Sequence, residues 1–72
     1  MVEGKIKVKV THKSVAKIIE VDESSSVEDL LRALHLFVDA HLVISSSNLP
    51  LPITHQLHEG EELVIIQVAS GG

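Results

Sequence analysis

The group whose surroundings best suit it to chemistry is the carboxylate of Gly72, which closes the run Val68-Ala69-Ser70-Gly71-Gly72. Gly71 and Gly72 carry no side chains, so another protein's backbone or a narrow channel can close on the terminal carboxyl carbon. Ser70 and Ala69 keep the approach slim. With glycine at about 7% of residues, two in succession at the end arise by chance in about 0.5% of chains; a frayed terminus is the bland alternative. Five histidines form the second set. His55 and His58 could share one side of a turn, but there is no cysteine, and no carboxylate at ligand-like spacing closes a site around them. They are read as solvent-facing loop histidines, and no metal is expected. Ser24–Ser26 and Ser45–Ser47 lack the glycine-flanked elbow that exposes a nucleophilic serine. No nucleophile–base pair is present either, so no catalytic residue is assigned. Gly72 is expected to be acted upon, not to act.

Composition sets the scale of what can hold such a group. The 72 residues allow one domain, and a chain of that length buries only about 60% of its unfolded surface. Hydrophobic residues make up 44% of the chain with Phe37 as the one aromatic, so Val, Ile and Leu must build the core, and a disordered chain is excluded. The lack of cysteine excludes a disulfide framework and fits a reducing compartment. Net charge is −4 with no basic cluster beyond alternating lysines, which argues against nucleic acid and against an anionic membrane surface. Lys5, Lys7 and Lys9 interrupt the early apolar residues, so no signal-peptide pattern opens the sequence, and no apolar run approaches a membrane span. A cytoplasmic domain is expected.

The elements that must position the tail follow from periodicity. Lys5-Ile6-Lys7-Val8-Lys9-Val10 alternates as a half-buried strand with Ile6, Val8 and Val10 inward. Thr11–Ser14 reads as a hairpin turn and Val15–Val21 as the antiparallel partner, with Ile19 and Val21 facing the core. Lys17 falls on the inward parity and either snorkels or marks a shifted register. Ser26 is an N-cap with Asp29 at the capping-box position. Val27, Leu30, Leu31 and Leu34 then follow at i, i+3, i+4 and i+7, one apolar stripe on a helix that stops near His35. Ala40–Ile44 is a short third strand, and Ser45-Ser46-Ser47-Asn48-Leu49-Pro50-Leu51-Pro52 is a Pro-broken connection that cannot be a central strand. A turn over Thr54–Glu59 carrying Leu57 into the core leads to Gly60 and a last strand, apolar on both faces. Apolar residues on both faces place that strand in the middle of a sheet, beside the first. The fold class is α+β: four strands in the order ββαββ, a mixed sheet with one helix on one face.

This order resembles the ubiquitin-like β-grasp proteins, and more narrowly the ThiS- and MoaD-type sulfur carriers and the small archaeal modifier proteins. The matching pieces are Ser26–Leu31 (SVEDLL), Leu57–Ile66 (LHEGEELVII) and Val68–Gly72 (VASGG). The likeness spans the whole chain, although Ser46-Ser47-Asn48 stands where those families often carry Asn-Gly or Asp-Gly, and Gly60-Glu61 where they often have Gly-Asp. It implies a β-grasp domain over residues 1–68 and a flexible Gly-Gly tail over 69–72. It also implies a ubiquitin-activating-type enzyme that uses ATP to adenylate Gly72, with no cofactor bound by the chain itself. The activated glycine then becomes a thiocarboxylate for sulfur transfer of the thiamine, molybdopterin or tRNA-thiolation type. The same activation can instead end in isopeptide bonds to target-protein lysines, and a third possibility is a non-conjugating interaction domain or small enzyme subunit with an inert tail. The family pattern turns Leu63 and Ile65 inward, which leaves Val64, Ile66 and Val68, with His41 and Val43 of the third strand, on an outward partner-binding face.

Overall fold

The computed structural model describes residues 4–68. Strand β1 (Lys5–His12) and strand β2 (Val15–Asp22) form an antiparallel hairpin in which Ile6 faces Val21 and Val8 faces Ile19. Helix α1 (Val27–Ala33) follows, then a 3₁₀ turn at Val38–Ala40, strand β3 (His41–Ser45), strand β4 (Pro50–Leu51) and strand β5 (Glu62–Gln67). The sheet order is β2-β1-β5-β3-β4, so β5 lies in the centre, parallel to β1 and antiparallel to β3. The expected four-stranded mixed sheet is present with one short addition: Pro50–Leu51 pairs with Val43 and Ile44 as a two-residue fifth strand. Its place at the sheet edge is where a residue without an N–H can be accommodated.

Alternation in β1 puts Ile6, Val8 and Val10 into the core and Lys5, Lys7 and Lys9 outside. The hairpin turn is tighter than the four residues expected, because β1 continues to His12 and two residues, Lys13 and Ser14, make the connection. Both have positive φ, 54° and 66°, the mirror-image turn whose twist matches that of the flanking strands. Lys17 keeps its inward parity without penalty because it lies past the end of the helix. There, with Val15, Ile19, Leu34 and Leu36, it lines an open groove.

Helix α1 is too short to persist alone in water, and three devices hold it. Ser26 caps the start: its hydroxyl oxygen accepts from the Asp29 N–H at 3.3 Å, and the Asp29 carboxylate accepts from the Ser26 N–H at 3.0 Å. The neighbouring loop supplies further acceptors, with the Val27 N–H donating to the His55 carbonyl and the Glu28 N–H to that of Ile53. At the other end His35 takes a left-handed φ of 61°. The Leu36 N–H then reaches back to the Leu31 carbonyl and the His35 N–H to that of Arg32, closing the last turn without a glycine. Val27, Leu30 and Leu31 are fully buried against Ile6, Val8, Val10, Val21, Val43, Leu57, Leu63 and Ile65. Leu34, at the C-cap, is half-buried at the core's margin.

Removing the buried Leu31 side chain should cost about 2–5 kcal/mol, a large fraction of the stability of so small a domain. Urea denaturation of Leu31→Ala measures this, and a cost near zero would mean that the helix face does not hold the sheet. The Ser26 backbone N–H, then its hydroxyl, and more weakly Arg32, hold the Asp29 carboxyl below the usual carboxylate range, against a small opposing effect of desolvation. A folded-state pKa below the unfolded one gives stability that is present above the ordinary Asp value of about 3.9 and lost as pH falls through the lower folded value. The difference in melting temperature between the wild type and Asp29→Asn should therefore narrow as pH is lowered through that window.

Candidate functional site

The candidate surface is the sheet face opposite the helix, and its make-up follows from strand pairing. In β5, Leu63 and Ile65 point into the core and are 1% and 3% exposed, while Val64 and Ile66 are outward at 38% and 41%. Val68 follows them, also exposed, with its N–H donating to the Ala40 carbonyl. The register with β3 pairs Val43 with Ile65, Leu42 with Ile66 and Ile44 with Val64. Residues paired across an antiparallel ladder share a face. Val43 is therefore on the core side, 2% exposed, and does not belong to the outward surface where the sequence reading placed it. A one-residue change of parity turns a whole strand over, so Leu42 and Ile44 take the places assigned to His41 and Val43.

The outer face is thus divided. On the β1–β2 half, Lys5 faces Asp22 and Lys7 faces Glu20, while Lys9 lies between Glu62 of β5 and the exposed Ile18 of β2. The Lys5 Nζ–Asp22 Oδ1 separation is 2.6 Å, between two exposed side chains. On the β5–β3 half, Leu42, Ile44, Val64 and Ile66 make a contiguous apolar strip, and β4 places Pro50 opposite Ile44 at its edge. Apolar residues rimmed by charge are the composition of a protein-binding patch. Ser70, Gly71 and Gly72 lie outside the described residues.

The second set of reactive groups also differs from its sequence reading. His55 is half-buried, and its Nε2 lies 2.8 Å from Glu61 Oε2. The Glu61 Oε1 accepts from the His58 N–H at 3.0 Å and lies 3.7 Å from His58 Nδ1. Gly60, with φ +78°, makes the turn that brings Glu61 back across His58, and the Glu61 N–H donates to the His58 carbonyl. A carboxylate does meet the two histidines, at the spacing His-x-x-His-x-x-Glu. The signal was in the sequence as Gly60 between His58 and Glu61, because a glycine at that position permits the reversal.

The division of the outer face has a direct test in thermal melts. Val64→Glu and Ile66→Glu should each cost less than about 1 kcal/mol, the span of exposed strand preferences. Val43→Asp should unfold the domain, because an unpaired charge would replace a buried methyl pair. The reverse pattern would mean that the parity of β3 and β5 is inverted.

No protein-family model matches the chain, and neither does any curated protein. Solved structures do. The chain is similar to the ubiquitin-like domain of Arabidopsis thaliana protein At2g32350, with a TM-score of 0.73 and 20% identity over 94% of this chain and 82% of that one. The N-terminal ubiquitin-like domain of the 4931431F19Rik protein gives 0.73 and 18% identity over 94% and 79%. SAMP1 from Haloferax volcanii gives 0.64 and 21% identity over 96% of this chain and all of that one. At these identities the likeness speaks for architecture, and it agrees with the strand order, the capped helix and the central last strand: this chain has the ubiquitin-like β-grasp fold.

Proposed function

We propose that this protein is a ubiquitin-like carrier whose Gly72 carboxylate is adenylated by a ubiquitin-activating-type enzyme and converted to a thiocarboxylate for sulfur transfer. The observation that carries the reading is the apolar strip of Leu42, Ile44, Val64 and Ile66. It spans β3 and β5, and β5 is the strand that leads toward the Gly71-Gly72 sequence, so one docking event can hold the fold and present the tail. A carboxylate resists nucleophiles because of its charge and because oxide does not leave. Attack of a carboxylate oxygen on the α-phosphorus of ATP expels pyrophosphate and gives a mixed anhydride. Hydrosulfide can then attack the acyl carbon and expel AMP, which leaves the thiocarboxylate. On this reading the chain contributes the acyl group and the handle, and the enzyme contributes the catalytic groups. Conjugation to target-protein lysines uses the same anhydride with an amine as the attacking group.

Intact mass measurement after incubation with ATP, a cognate activating enzyme and a sulfur donor separates these outcomes. Replacement of one oxygen by sulfur, localised to Gly72, is expected, and it should be lost on deleting Gly71 and Gly72 and weakened in Val64→Glu and Ile66→Glu. Gly-Gly remnants on lysines of other proteins, with no sulfur gained, would replace the carrier reading by the modifier reading. Neither product, with a competent enzyme present, would leave an interaction domain.

A further inference from the structure

We propose that His55, His58 and Glu61 form a binding site for a divalent transition-metal ion of the zinc class. One ligand atom from each residue lies within 4.8 Å of the others. Two of the separations are 2.8 Å, from His55 Nε2 to Glu61 Oε2, and 3.7 Å, from His58 Nδ1 to Glu61 Oε1. Ligands about 2.0–2.1 Å from a tetrahedral zinc ion stand about 3.3 Å apart, a value between those two, so modest side-chain rotation would set the geometry. The two imidazole nitrogens and one carboxylate are a donor set of intermediate softness, suited to Zn²⁺. Ca²⁺ and Mg²⁺ require six or more oxygens, or near-octahedral oxygen geometry.

The backbone beneath these side chains is held from several directions. The His55 carbonyl accepts from the Val27 N–H, and the His55 N–H donates to the Pro52 carbonyl. Leu57, between the two histidines, is 1% exposed and its N–H donates to the Ser25 carbonyl. The Gly60 N–H donates to the Lys7 carbonyl, and the Glu61 carbonyl accepts from the Lys9 N–H. The His58 N–H on Glu61 Oε1 orients the carboxylate while leaving lone pairs for a cation, as outer-sphere partners do in metal sites. Burial is graded: the Glu61 and His55 side chains are 19% and 26% exposed, and that of His58 is 71% exposed. An ion could therefore enter from the His58 side, with water completing its coordination. For a neutral His55, binding through Nε2 moves the ring proton to Nδ1, and the hydrogen bond to Glu61 is replaced by coordination of both groups. Such an ion would brace the turn from His55 to Glu61, whose backbone hydrogen-bonds Val27 and Ser25 at the helix start, against the entry of β5 in a chain that has no cysteine. Neither the tail nor its activation takes part, so failure of this site would leave the reading of Gly72 standing.

The test is titration of the full chain with ZnCl₂ by calorimetry, with CoCl₂ as a spectroscopic probe and thermal melts alongside. Expected are one ion per chain, the intense visible bands of four-coordinate Co²⁺, and a melting temperature that rises with free Zn²⁺. His55→Gln, His58→Gln and Glu61→Gln should each weaken binding by more than the roughly 10–100-fold typical of losing an outer-sphere partner. His12→Gln and His41→Gln should leave it unchanged; they remove the other histidine pair, whose ring centroids are 5.7 Å apart. If His55→Gln fails to fold, His58→Gln decides, because its exposed side chain can be exchanged without disturbing the core. No saturable binding, or binding indifferent to His58→Gln and Glu61→Gln, would overturn the proposal.

Discussion

Everything in this molecule depends on α1 lying across β5 and its neighbours. The chain has no disulfide, and its one phenylalanine, Phe37, is 79% exposed. The core is therefore assembled wholly from aliphatic side chains, with Leu30 and Leu31 from the helix meeting Val8, Leu57 and Leu63 from the sheet and loop. Such side chains have no directional preference, so their arrangement is set by backbone devices around them. Those devices are the Ser26–Asp29 cap, the carbonyls of Ile53 and His55 at the helix start, and the left-handed His35 at its end. The loop that feeds the helix cap is the same loop that carries Leu57 and the histidine–glutamate cluster. Core, cap and cluster are consequently one mechanical unit.

The parts of this fold that were legible in the sequence are those where a local pattern has only one solution. The alternation of β1 placed Ile6, Val8 and Val10, and the Ser26 cap placed the start of α1. The features that were not legible are settled by partners distant in sequence. His41-Leu42-Val43-Ile44 contains three consecutive apolar residues, which a period of two cannot divide. Only the pairing of Val43 with Ile65 decides which one is buried. Lys13-Ser14, His35 and Asn48 adopt left-handed backbone without the glycine that usually announces it. In each place hydrogen bonds or sheet twist hold a conformation that intrinsic preference opposes. The approach of Glu61 to His55 likewise does not follow from spacing alone, because it requires the reversal at Gly60.

The outer face combines two kinds of surface whose roles differ. The β1–β2 half carries two cross-strand pairs of opposite charge, Lys5 with Asp22 and Lys7 with Glu20, worth little to stability at such exposure, and beyond them the exposed Ile18 opposite Lys9. The β5–β3 half exposes Leu42, Val64 and Ile66 at 37–41% each, and under the proposed function it is the half that meets the activating enzyme. On that proposal, the charges that would set its specificity are Lys9 and Glu62, which lie beside the apolar strip.

The position of β5 also has a consequence for the order in which the molecule comes into being. Its partners are residues 9–12 and 41–45, and it is the final strand among the described residues. The β1–β2 hairpin is local and can form early, but the centre of the sheet must wait for a segment some fifty positions further along, a long loop closure that slows folding. Until that strand is inserted, Leu30 and Leu31 have no complete surface to cover, and the outward strip does not exist because its two strands, β3 and β5, have not met. A partner that recognises Leu42, Ile44, Val64 and Ile66 together therefore reads completion of the fold, and incomplete chains are invisible to it.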